Sequence, residues 1–181
     1  MKSICVYIGG QSGNSRLFSE ITIQLGELIA QHKLTLIYGG SSLGLMGLLA
    51  TTIKNKGGRV IGILPKPFID MEQPLTTLDE LILVESTQAR KHLMQQKSDM
   101  FLAMPGGLGT MDEVFDTWAA LRLGLLDKKP LGFLNQDGYF DHLFAFMANC
   151  ERHGFVSREN NAIPRIQTDL ASLLNDLMGG L

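Results

Sequence analysis

The sequence predicts an α/β fold built on a mainly parallel sheet with helices on both faces. Three observations predict it. Apolar, β-rich runs alternate with runs of helical period along the whole chain. The strand-like runs are nearly continuous in apolar residues, as in strands covered on both sides. Glycine-rich turns follow three of them, the pattern of strand–loop–helix units whose strands run parallel.

The elements follow in order. Residues 4–8 read as a strand, followed by the loop Gly9-Gly10-Gln11-Ser12-Gly13-Asn14. Residues 16–31 place Leu17, Phe18, Ile21, Leu25, Leu28 and Ile29 at helical spacing. A second strand, residues 34–38, leads into Gly39-Gly40-Ser41-Ser42 and a helix over 43–55, which Gly57-Gly58 ends. A third strand over 59–64 is stopped by Pro65 and Pro67, and residues 66–78 read as an irregular loop. Then come a strand at 81–84, a helix at 87–96 and a strand at 99–104. A third glycine turn opens a helix over 114–126. The chain continues with a strand at 131–134, a helix at 139–152, an edge strand at 162–166 and a closing helix at 169–178. No repeat, linker or low-complexity tract divides it, so residues 1–181 read as one domain. In such sheets ligands bind at the carboxyl ends of the strands, so the three glycine loops are expected to converge on one edge.

Composition narrows the function classes. A net charge of −2 and a pI near 6.1 lack the basic footprint of a general nucleic-acid binder. No apolar stretch approaches the roughly 20 residues of a membrane span. The apolar part of residues 1–8 is too short for a signal peptide. Cys5 and Cys150 read as buried thiols rather than a disulfide framework, so a reducing cytoplasm is the expected compartment. The four histidines show no metal-ligand spacing, and no metal is expected.

The segment Pro105-Gly106-Gly107-Leu108-Gly109-Thr110-Met111-Asp112-Glu113 carries the most chemistry. A strand, a glycine turn and a helix start make an anion site, because backbone N–H groups approach an oxyanion closely there. Thr110 has the position of an N-cap, and Glu113 completes capping-box spacing. The other reading of Glu113 is a carboxylate one turn into a phosphate-binding helix, within reach of the phosphate's sugar. Asp112 and Glu113 are helix neighbours, so they point apart. Arg90 and Lys91, on the helix before the motif strand, read from the residues alone as two solvated charges. The competing reading places a guanidinium and an ammonium near a phosphate. Trp118, Phe115, Leu121, Met94, Met100 and Met104 read as core. Neither glycine loop has the dinucleotide fingerprint or the lysine of a P-loop, and no nucleophile elbow is present.

Together these motifs resemble the LOG ("lonely guy") family. The resemblance rests on Tyr38-Gly39-Gly40 with Gly44-Leu45-Met46-Gly47, on Gly57 through Pro65, on Arg90-Lys91 and on Pro105 through Glu113. Lys129 through Asn135 and Gly138-Tyr139-Phe140-Asp141 continue it. It implies a Rossmann-like, doubly wound nucleotide-binding domain and at least a homodimer with active sites near the subunit interface. It also implies a phosphoribohydrolase that cleaves the N-glycosidic bond of a nucleoside 5′-monophosphate. The base would be adenine or, in cytokinin biosynthesis, an N6-substituted adenine. The resemblance implies Arg90 and Glu113 as catalytic residues, with Gly106, Gly107, Gly109 and Thr110 at the phosphate. Gly10 and Lys91 complete the expected binding set, and no cofactor is required. The older family label, lysine decarboxylase, has no Schiff-base lysine to support it here. The first loop departs from the family's usual cysteine-glycine-serine-serine, reading Ile8, Gly9, Gly10 and Gln11. Thr87 stands where a methionine is usual, and Ala120-Leu121-Arg122-Leu123-Gly124 replaces a Trp-x-Gln-Leu-Gly element. These changes bear on base preference. A non-catalytic nucleotide carrier is the alternative, and an interaction module using the glycines only for packing is a third reading.

Overall fold

The computed structural model describes residues 1–180. Seven strands form one sheet: β1 (Ser3–Tyr7), β2 (Thr35–Tyr38), β3 (Arg59–Pro65), β4 (Glu80–Val84), β5 (Met100–Ala103), β6 (Leu131–Leu134) and β7 (Arg165–Gln167). The order is β4-β3-β2-β1-β5-β6-β7, and every pairing is parallel. The chain builds outward from β1 on one side and from β5 on the other. The order therefore reverses between β1 and β5, the topological switch point of a doubly wound sheet.

Strand alternation sends successive side chains to opposite faces. Ile4, Val6, Leu36 and Leu102 pack with Leu25 and Ile29 of α1 (Arg16–Gln31), Leu49 and Ile53 of α2 (Gly44–Asn55), and Leu173 and Leu177. On the other face Cys5, Tyr7, Ile37 and Phe101 pack with Met94, Val114, Trp118 and Met147. The helices between are α3 (Ile69–Glu72), α4 (Thr87–Lys97), α5 (Leu108–Arg122), α6 (Asp141–Arg152), α7 (Arg158–Asn161) and α8 (Leu170–Gly179). Both expected faces are thus covered. Among the described residues no helix is long and apolar enough to cross a membrane.

Several boundaries differ from the sequence reading. Helix α5 begins at Leu108 rather than 114, because the glycine motif itself winds into the first turn. Gly107 is its N-cap, without a side-chain cap, so Thr110 lies inside the helix and makes no capping box with Glu113. The helix stops at Arg122, short of 126, since Gly124 takes a φ of +68°. Helix α6 begins at Asp141 rather than 139, because Asp137 and Gly138 turn the chain with φ values of +54° and +68°. The last edge strand is Arg165–Gln167 rather than 162–166. Pro164 offers no N–H to a ladder, and α7 occupies the chain before it. Cys5 is fully buried as expected, but Cys150 is only partly so.

The largest departure is at residues 66–78. They contain a 3-10 turn at Lys66–Phe68 and one helical turn, α3, ended by Gln73 in the left-handed region at φ +44°. The buried Ser41 hydroxyl donates to the Glu72 carbonyl at 2.9 Å, and the Ser42 N–H donates to the same oxygen at 3.2 Å. The second glycine loop thereby fixes where this segment crosses the sheet edge.

Candidate active site

A cavity of about 620 Å³ opens at the carboxyl ends of β1, β2 and β5, at the switch point. All three glycine loops reach it. Gly9, Gly10, Gln11 and Gly13 come from the first, Ser41 and Leu43 from the second, and Pro105, Gly106, Gly107 and Gly109 from the third.

The loops are packed backbone on backbone. The Gly9 N–H donates to the Pro105 carbonyl at 3.1 Å, and the Met46 N–H donates to the Gly9 carbonyl at 3.3 Å. A Cβ on Gly44, which holds φ +54°, would run into the Gly10 backbone. One on Gly106 would run into the Thr110 hydroxyl and approach the Gly9 nitrogen to 2.9 Å. Gly107 and Gly109 are different. A Cβ on either meets nothing within 4 Å, so no neighbour in the chain demands glycine there. Both line the cavity. Their missing side chains leave the start of α5 open to a ligand.

The Met111 N–H is the donor that closes the first turn, onto the Gly107 carbonyl at 3.0 Å. The N–H groups of Leu108, Gly109 and Thr110 precede it and are the free donors of the helix end. The helix dipole points the same way, and of the three residues Gly109 and Thr110 line the cavity. Tyr139, itself a lining residue of the cavity, braces this turn. Its hydroxyl donates to the Gly106 carbonyl at 2.8 Å, and its ring packs edge-on against Phe18 at 5.6 Å.

One turn further into α5, Glu113 is 9% exposed and lines the same cavity. Asp112, its neighbour, points out to solvent, as helix geometry requires. Burial pushes the Glu113 carboxyl up to about 7. Arg90 opposes that rise, while Asp112 and Glu72 add to it. Nη2 of Arg90 stands 3.7 Å from Glu113 Oε1, and Nη1 stands 3.3 Å from Glu72 Oε1. The guanidinium passes beside Gly39, where a Cβ would sit 3.5 Å from Nη1. Arg90 is therefore a cavity residue held between two carboxylates, not a solvated helix charge.

Lys91 does not share that fate. It pairs with Asp112 at 2.8 Å and with Asp116 at 3.6 Å, and it does not line the cavity. The expectation of a phosphate contact from Lys91 is corrected accordingly: its charge is engaged by two carboxylates of α5. Burial alone would lower its pKa, but those partners outweigh burial and raise it. The pairing ties α4 to α5. Gln95 reinforces it by donating to Asp116 at 2.7 Å and to the Thr117 hydroxyl at 3.2 Å. This clasp sets Arg90 against Glu113.

The expected residues Gly10, Arg90, Gly106, Gly107, Gly109, Thr110 and Glu113 all line one cavity. Sequence reasoning missed Glu72 and Tyr139. Glu72 lay in a segment without periodicity. Tyr139 stood in the Gly138-Tyr139-Phe140-Asp141 run, and a turn glycine before an aromatic was its only signal. Gln11 also lines the cavity, whereas Thr87 and Arg122 do not, so only part of the departing sequence reaches a ligand.

The family model described as "Possible lysine decarboxylase" matches residues 46–177. A relative from Oryza sativa subsp. japonica, named a "Probable cytokinin riboside 5'-monophosphate phosphoribohydrolase", is 38% identical over 97% of this chain and 77% of its own length. A cytokinin riboside 5'-monophosphate phosphoribohydrolase of Arabidopsis thaliana is 39% identical over 86% of this chain and 68% of its own. The chain belongs to the LOG family. Within the LOG fold, a solved molybdenum cofactor binding protein from Rippkaea orientalis superposes with a TM-score of 0.73 at 25% identity. It covers 98% of this chain and 96% of its own. The decarboxylase label of the LOG family model has no counterpart in the cavity, which no lysine lines among the described residues.

Proposed function

We propose that this LOG-family protein is a nucleoside 5′-monophosphate phosphoribohydrolase, releasing adenine or an N6-substituted adenine and ribose 5-phosphate. The observation that carries the reading is Glu113, a buried carboxylate one turn inside a helix whose open N-terminus faces the same cavity. The relatives' names support it.

The mechanism follows from the arrangement. The nucleotide's phosphate accepts from the N–H groups of Leu108, Gly109 and Thr110, and that remote binding energy positions the ribose. As the C1′–N bond breaks, its electron pair leaves with the base and positive charge grows on the sugar. A carboxylate beside C1′ stabilises that charge in a water-poor site. The water oxygen bonds to C1′, and Glu113 takes one of the water's protons, hands it to the departing base and so returns to its carboxylate form as the neutral free base is released. A carboxyl pushed up to about 7 suits this exchange at neutral pH, where both of its forms are populated. Arg90 holds the carboxylates in place and offers donors to the departing base.

We also propose that the chain works as a homodimer or larger assembly in the cytoplasm. Leu108, Leu123, Leu125 and Phe146 are large apolar side chains left exposed on α5, just after it and on α6, as at an association surface. Light scattering on the eluting protein tests this, and a monomer mass contradicts it.

Base release from AMP, from an N6-isopentenyladenine nucleotide and from the matching nucleosides tests the activity. The reading expects free base from nucleotides and far less from nucleosides. Saturable AMP binding without base release from any monophosphate would favour the carrier reading instead. That alternative has the weaker support, a 25% likeness to a cofactor-binding protein.

A further inference from the structure

Ser41 stands in the second glycine loop and lines the cavity, yet its hydroxyl is engaged within the chain. The residue is 1% exposed, and the hydroxyl donates to the Glu72 carbonyl at 2.9 Å while accepting from the Leu43 N–H at 3.1 Å. Leu43 is the N-cap of α2, so one hydroxyl joins the start of that helix to the segment between β3 and β4. The Ser42 N–H donates to the Glu72 and Gln73 carbonyls at 3.2 Å, and Ser41 forms an antiparallel bridge with Pro74.

The segment needs these anchors. Helix α3 is a single turn, and a helix that short does not hold itself in water. Gln73 ends it in the left-handed region, which a residue with a side chain keeps only where its surroundings hold it. The turn carries Glu72, 3.3 Å from Arg90, and the same guanidinium stands 3.7 Å from Glu113. How the charge of Arg90 is divided therefore depends on where Glu72 is put. Resting on the phosphoribohydrolase reading, we infer that Ser41 is a positioning residue: it fixes the Glu72 carboxylate on Arg90 and so sets the share of the guanidinium charge that reaches Glu113.

The other charges around Glu113 are Lys91 of α4, which supports its ionised form, and Asp112 beside it on α5, which opposes it. Cys5 and Tyr7 of β1 also feel Glu113, but burial pushes both up and keeps them neutral. Lys91 and Asp112 pair with each other, so of these groups Glu72 alone hangs from Ser41. Without the Ser41 hydroxyl the turn loosens and Glu72 withdraws. Its repulsion of the Glu113 charge fades, and Arg90 is left to Glu113. Both changes favour the ionised carboxylate, so Glu113 titrates at lower pH. The rival role is purely structural: Ser41 would add stability and leave Glu113 as it is.

The test follows the Glu113 carboxyl by carbon-13 NMR in the wild type, Ser41→Ala, Glu72→Gln and the double variant, with Glu113→Gln assigning the signal. The pH dependence of kcat for base release from AMP is measured alongside. Ser41→Ala is expected to bring the titration and the acid limb of kcat down by about half a pH unit or more. Glu72→Gln removes the charge but keeps the backbone bonds from Ser41 and Ser42, and it shifts both the same way. Adding Ser41→Ala to Glu72→Gln shifts them no further, because the charge that Ser41 places is already gone. KM for AMP holds in Ser41→Ala. An unmoved or raised titration in Ser41→Ala, or an equal shift with and without the Glu72 charge, overturns the inference and leaves Ser41 a structural anchor. A titration that moves while the acid limb stays also overturns it, and so does a raised KM with an unmoved titration, which would put the hydroxyl on the substrate. Should the wild type release no base, the phosphoribohydrolase reading fails and the NMR titration decides this one. The same downward shift, absent in the Glu72→Gln background, upholds the link from Ser41 to Glu113, and an unmoved titration overturns it.

Discussion

Arg90 and Glu113 sit 3.7 Å apart with side chains only 15% and 11% exposed, yet the carboxyl is not held in its ordinary acidic range. Burial outweighs the guanidinium, and Arg90 divides its charge with Glu72. The pair is thus a buried carboxyl whose charge the guanidinium only partly supports, rather than a stabilising salt bridge.

That relationship sets the pH dependence of stability. The folded-state pKa of Glu113, about 7, lies above its unfolded value near 4.5. Between those values the folded protein binds the extra proton, so Glu113 withdraws stability as pH rises through the window. Glu113→Gln removes the titration. Relative to wild type, the variant should gain on the order of 1–3 kcal/mol between pH 4.5 and pH 8. Thermal unfolding across that range checks it, and a constant difference would contradict the burial argument.

Gly109 separates stability from function. It lies in the first turn of α5, and a Cβ there meets nothing in the chain. Gly109→Ala should stabilise the fold by about 0.5–1 kcal/mol, because alanine costs less entropy in a helix. The same methyl stands where the phosphate approaches, so KM for AMP should rise about tenfold, roughly 1.4 kcal/mol of binding. Denaturant unfolding and steady-state kinetics on one preparation measure both. A variant with unaltered KM would mean that the helix start does not hold the phosphate.

Tyr139 acts through the glycine turn before α5, where the proposed function seats the phosphate. Tyr139→Phe keeps the ring contact with Phe18 and deletes the bond to the Gly106 carbonyl. A single partly exposed hydrogen bond is worth about 0.5–1.5 kcal/mol, so KM should rise a few-fold while kcat holds. A fall in kcat with KM unaltered would place Tyr139 at the chemistry instead.

What was legible in the sequence, and what was not, follows from the range of the interactions. Apolar runs such as Met100 to Ala103 are local, and their continuity announced buried parallel strands. Glu113 was legible because helix period fixes its distance from the glycine turn. Arg90 and Lys91 are neighbours in sequence but lie on different sides of α4. Only the packing of α4 against α5 decides which of them enters the cavity. Thr110 had the composition of a cap, but the helix begins two residues earlier, at Leu108, with Gly107 as its N-cap. Glu72 was least legible. Its place depends on a bond from Ser41, 31 residues away, that no local pattern records.

The central claim is that Glu113 drives cleavage of a glycosidic bond in a nucleotide held by the start of α5. Its most direct test is release of free base and ribose 5-phosphate from AMP by wild type and Glu113→Gln, with AMP binding measured in parallel. The account predicts equal amounts of the two products from wild type. It predicts a loss of about 10²–10⁴ in kcat for the variant, with AMP still bound. Unchanged turnover in Glu113→Gln would contradict it.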